Sequence, residues 1–152
     1  MPEIQTKHFN CIEFREEDVL HFPEGLPGLD AERRFVAVEL PDTRPLAYLQ
    51  SVTTPGVCFI TVPVRVVDPN YRLALTAEHL CTLGLSEGCE ARIGADVVCV
   101  VILTMAENGP PTLNLLAPLV VNLRTRRGVQ AIQTDSGYSH EQKLPEPAMQ
   151  AA

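Results

Sequence analysis

Gly84-Leu85-Ser86-Glu87-Gly88 fits G-x-S-x-G, the pattern that lifts a nucleophilic serine onto a tight strand-to-helix turn. That chemistry also needs a carboxylate and a histidine further along the chain to take up the serine proton. The only later histidine is His140, close to the C-terminal end. The residues before Ser86 have helix character and those after it read as a loop, which is not the order an elbow requires. A small serine hydrolase using Ser86 is therefore an alternative that its context disfavours, and no catalytic residues are assigned.

The other reactive side chains form no set either. His8, His21, His79 and His140 include no pair at i, i+4, the spacing that puts two imidazoles on one helix face, and Glu78-His79 lacks the second histidine of H-E-x-x-H. His79 and Cys81 are two apart on one short helix, where their side chains diverge. No metal site and no cofactor are expected. The five cysteines, Cys11, Cys58, Cys81, Cys89 and Cys99, are odd in number and contain no C-x-x-C. With a polar stretch from Met1 to Asn10, they suggest free thiols in a reducing cytoplasm. Cys58 and Cys99 lie in apolar runs and read as small core residues.

Twelve basic against nineteen acidic residues leave a net charge of −7. Nucleic-acid binding depends on Lys and Arg neutralising phosphates, so direct binding of nucleic acid is not expected. Arg124, Arg126 and Arg127, and the weaker pair Arg33 and Arg34, lack an aromatic platform for bases. The longest apolar run, Val97 to Leu103, has seven residues. A membrane span needs about 20, so no membrane segment is expected.

The elements that would position any site are mostly strands. Phe35–Leu40, Ala47–Val52 and Val57–Val62 are β-branched and aromatic runs, the last two joined by turn residues Thr54-Pro55-Gly56. Val64–Val67 would continue past Pro63, and Tyr71–Leu75 would form another strand. Val97–Leu103 lacks alternation and predicts a strand buried on both faces. Asn108-Gly109-Pro110-Pro111 forces a turn. Leu119–Leu123 and Val129–Ile132 predict a hairpin around Arg127-Gly128, and Ile4–Phe9 with Ile12–Phe14 predict a pair at the N-terminal end. Thr76 should cap a short helix over Ala77–Leu83 that ends at Gly84, and Asp30 a single turn through Arg34. These signals define an all-β, mainly antiparallel fold, a small β-barrel-like single domain with one or two short helices. It should span residues 1–138, with 139–152 a disordered tail.

Phe22-Pro23-Glu24-Gly25-Leu26-Pro27-Gly28 is not a phosphate loop, since no Lys-Ser/Thr follows and Pro27 has no N–H. It alternates apolar residues with turn formers, so Phe22, Leu26 and Leu29 should dock on the core. This loop resembles a signature of the flagellar assembly factor FliW family. The likeness continues through Arg34-Phe35-Val36, Leu49-Gln50-Ser51-Val52, Val97–Thr104, Asn114-Leu115-Leu116-Ala117-Pro118-Leu119-Val120-Val121-Asn122 and Arg127-Gly128-Val129-Gln130. It covers roughly residues 4 to 138. Leu29 replaces an expected aromatic residue, Val66-Val67 replaces an often aromatic segment, and the tail is longer than in the family.

The resemblance implies a cytoplasmic, non-catalytic β-barrel that binds flagellin and the RNA-binding translational repressor CsrA. Flagellin export would free the factor to capture CsrA, releasing flagellin mRNA for translation. An acidic partner suits a protein with basic RNA-facing surroundings. Partner-binding residues carried over are Asn114, Leu115, Leu116, Ala117 and Pro118, with Asn122. Their leucines could equally serve packing alone. A barrel holding a small apolar ligand is a further alternative.

Overall fold

The computed structural model describes residues 3–6, 9–26, 28–105, 107–134 and 136–143. The strands are β1 (Glu3–Thr6), β2 (Asn10–Glu13), β3 (Leu20–His21), β4 (Arg34–Glu39), β5 (Ala47–Ser51) and β6 (Cys58–Pro63). One-turn helix α1 (Val64–Val67) and helix α2 (Ala77–Leu83) follow. Strands β7 (Val98–Thr104), β8 (Thr112–Leu113), β9 (Leu119–Asn122), β10 (Arg127–Gln130) and β11 (Gln142–Lys143) complete the order.

Seven strands close into a barrel in the order β7-β6-β5-β4-β3-β10-β9, with β9 pairing back onto β7. Every pairing is antiparallel except β3 with β10, which meet in parallel through His21 and Arg127. β8 and β11 extend the sheet beyond the C-terminal half of β7, and β1–β2 form a separate hairpin.

Strand alternation builds two cores from this one sheet. Val100, Leu49, Phe35, Leu119 and Val121 point into the lumen. The intervening Cys99, Val101, Leu103, Val62 and Val120 point outward and form a second core with Leu83, Leu115 and Tyr71. β7 serves both, which is why its sequence is apolar without alternation.

Phe22, just after β3, packs against β10. Its side chain is fully buried. A Cβ on Gly128 would lie 2.4 Å from its ring, so β10 needs a glycine where it passes the phenylalanine. Gly25, at φ 76°, makes the turn that brings Leu26 inward, and a Cβ there would stand 2.7 Å from Leu29 O and Asp30 Cα. Leu26 is 3% exposed and Leu29 half-buried.

Five local expectations are corrected. Val64–Val67 is helical: Pro63 has no N–H to extend the ladder, and Asp68 N–H bonds back to Val64 O at 2.9 Å, burying Val64. Tyr71–Leu75 is not a strand. Ala74 N–H donates to Gln133 Oε1 (2.7 Å) and Ala74 O accepts from Gln133 Nε2 (2.9 Å), so a side chain replaces a ladder partner. The segment after Asp30 does not become helical, because Arg34 already pairs with His21 in β4. The last hairpin reverses over residues 123–126, with Arg126 N–H bonded to Asn122 O at 2.8 Å, so Arg127 and Gly128 lie within β10. Ser139 to Lys143, expected as the start of the tail, are held in place, since Ser139 O accepts from Leu115 and Leu116 N–H and β11 pairs with β8. The rest of that expected tail, residues 144–152, lies outside the described residues, as does His8.

Candidate binding site

Asn114 to Pro118 form a bend between β8 and β9 that is strapped on three sides. Asn114 Oδ1 accepts from Ala117 N–H at 3.1 Å, closing the bend on itself. Leu115 is 3% exposed, and its carbonyl accepts the Tyr71 hydroxyl at 2.5 Å. Leu116 O accepts from Gln133 N–H (2.7 Å) and Pro118 O from Ala131 N–H (2.9 Å). Ala117 and Pro118 are buried, whereas Asn114 and Leu116 are half-buried. Leu116 adjoins Ile132, which is 56% exposed. Together they make the apolar surface of this block.

Asn122 lies apart, at the far end of β9 and 3% exposed. Its Nδ2 donates to Leu83 O at 2.9 Å and its Oδ1 accepts from Arg124 N–H at 3.0 Å. Thr125 Oγ1 donates to the same Leu83 carbonyl at 2.8 Å. Asn122 thus holds the C-terminal end of α2 against the β9–β10 turn.

The neighbouring strap was not legible in advance. Tyr138 stacks on Tyr71, ring centroids 4.3 Å apart, and its hydroxyl accepts from Arg72 N–H. Gln133 is 2% exposed and fully engaged with Ala74 and Ala131. Only the tyrosines in an otherwise polar stretch hinted at this contact.

Other candidates disperse. Ser86 is exposed in the turn after α2, at the end of a helix and not on a strand-to-helix elbow. His79 is taken up in the capping box of α2: its N–H donates to Thr76 Oγ1 and its Nδ1 accepts from Thr76 N–H, each at 3.1 Å. Among the described residues no cluster of three or more His, Cys, Asp or Glu has metal-binding geometry, and no helix is long and apolar enough to cross a membrane. Cys99 is buried, and desolvation pushes its thiol up to about 12. Arg34 Nη2 donates to Glu16 Oε2 at 2.5 Å, so that arginine is neutralised. Arg124, Arg126 and Arg127 make no ion pair among the described residues.

A closed seven-strand barrel with a second core on its outer face, strapped by the Asn114–Pro118 bend, defines the class of protein. The FliW family model ("FliW protein") matches residues 3–144. The flagellar assembly factor FliW of Geobacillus kaustophilus (strain HTA426) is 37% identical over 146 residues, covering 93% of this chain and 94% of that protein. That of Pseudothermotoga lettingae is 37% identical over 135 residues, 84% of this chain and 79% of the relative. A solved crystal structure of the flagellar assembly factor FliW superposes with TM-score 0.82 at 34% identity, covering 95% of this chain and 98% of that one. This chain belongs to the FliW family.

Proposed function

We propose that this protein is a cytoplasmic partner switch in flagellar assembly. It binds flagellin and, when flagellin is absent, a CsrA-type translational regulator, antagonising repression of flagellin mRNA. Its work is binding, without catalysis and without direct contact to nucleic acid or membrane. The observation that carries this reading is membership of the FliW family along nearly the whole chain.

Charge supports it. The net charge of −7 suits a partner whose RNA-binding surroundings are basic. Part of that charge gathers around the β1–β2 hairpin and the following turn, where exposed Glu3, Glu13, Glu16, Glu17 and Asp18 outnumber Arg15 and Arg34, the arginines paired with the last three of them. Within the Asn114–Pro118 block, the surface offered to a partner is Leu116 with adjacent Ile132. Leu115, Ala117 and Pro118 act by holding that surface in place, while Asn122 holds the end of α2.

Titration calorimetry of the purified protein with a CsrA-type regulator, and separately with flagellin, tests the reading. Micromolar or tighter binding of both is expected, and added salt should weaken the first. Binding of neither at micromolar concentration overturns it.

A further inference from the structure

The lumen of the barrel is filled at one end only. There Phe22 and Phe35 are fully buried and meet edge to face, centroids 5.8 Å apart, beside the fully buried Leu119. At the other end the same alternation delivers shorter side chains: Ala37 from β4, Ala47 from β5, Thr61 and Pro63 from β6, Val98 from β7. A small barrel is either filled by its inward side chains or left with room for one small ligand. Here a cup of about 650 Å³ remains, open to solvent at the rim. That size falls in the range of ordinary ligand sites.

The wall is apolar. Thr61, the hydroxyl inside it, is satisfied by donating to Ala47 O at 2.7 Å. Val98 and Leu123 at the mouth are 37% and 48% exposed, so the apolar surface continues to the opening. Arg44 lines the rim, is exposed, and makes no ion pair among the described residues. Glu39 on the same β4–β5 hairpin leaves the rim close to neutral, which suits a single negative charge and disfavours a multiply charged head group.

We propose that this cup binds a single-chain monocarboxylate of the medium-chain fatty-acid class, with the alkyl chain in the lumen and the carboxylate on Arg44. A guanidinium presents two N–H groups in the geometry a carboxylate accepts. Each methylene withdrawn from water tightens binding about fourfold until the cup is full.

Titration with octanoate, decanoate and dodecanol below their aggregation limits tests this. One site per chain is expected, with decanoate tighter than octanoate. Arg44→Gln should weaken decanoate about tenfold while leaving dodecanol unchanged. Ala47→Leu, which fills the cup, should abolish both, and Ala37→Leu provides a second filling variant if the first melts early. Absence of binding to the folded protein at millimolar decanoate overturns the proposal, as does equal loss of acid and alcohol in Arg44→Gln. Failure of decanoate to bind, with a cysteine introduced by Val98→Cys protected when flagellin is added, would assign the cup to a partner's side chains instead.

Discussion

Leu115 and Leu116 are neighbours in sequence and opposites in environment. Leu115 lies in the outer core at 3% exposure, while Leu116 is half-buried beside Ile132. A charge at Leu115 would be buried without a partner, so Leu115→Asp should cost about 3 kcal/mol or more. Leu116→Asp should shift stability by less than about 1 kcal/mol and weaken partner binding. Urea unfolding and calorimetry on the two variants separate these effects. The motif was legible from sequence but the division of labour within it was not, since adjacent residues in an irregular bend have no fixed period. Gly128 gives a second residue-scale prediction. Gly128→Ala should destabilise by about 1–3 kcal/mol, and Phe22→Leu in that background should restore part of the loss. A third concerns pH. Burial raises the Cys99 thiol from 9.0 to about 12. The unfolded thiol ionises first as pH rises, so its contribution is intact below pH 9 and is lost between 9 and 12. The Cys99 contribution to stability should fall by about 1.4 kcal/mol per pH unit across that window. Urea midpoints at pH 8 and 10 should show a fall, and Cys99→Val should make it shallower.

At the scale of elements, α2 was readable because its signals are local. Thr76 caps it, Gly84 at φ 76° ends it, Leu83 faces the outer core and Leu80 is buried. Thr76→Ala removes the acceptor for His79 N–H and should cost about 1 kcal/mol. Amide hydrogen exchange should then speed up in residues 77–80 more than in β7. Tyr71–Leu75 departs from the strand expectation for the opposite reason. The local pattern is that of a strand, yet its backbone partner is the side chain of Gln133, 59 residues away from Ala74. Val64–Val67 likewise carries three valines, and the chain direction imposed at Pro63 overrides their strand preference. The β9–β10 turn shifted by a few residues because Asn122 and Thr125 spend their side chains on the end of α2.

For the whole molecule, an all-β barrel was legible from the number and spacing of short strands, but its closure through β7–β9 and β3–β10 is a long-range event with no local mark. The half-filled lumen was written in the sequence as small residues at alternate strand positions, Ala37, Ala47 and Thr61, and becomes readable only once strand order is known. The proposed partner switch belongs to this scale, since it joins an acidic surface, a strapped bend and membership of one family along the chain. The most direct measurement is a reconstituted translation assay on flagellin mRNA repressed by a CsrA-type regulator. Adding this protein should restore translation, and adding excess flagellin should return the repression. Persistent repression after adding the protein at concentrations above the regulator, or relief that flagellin leaves untouched, would contradict the switch.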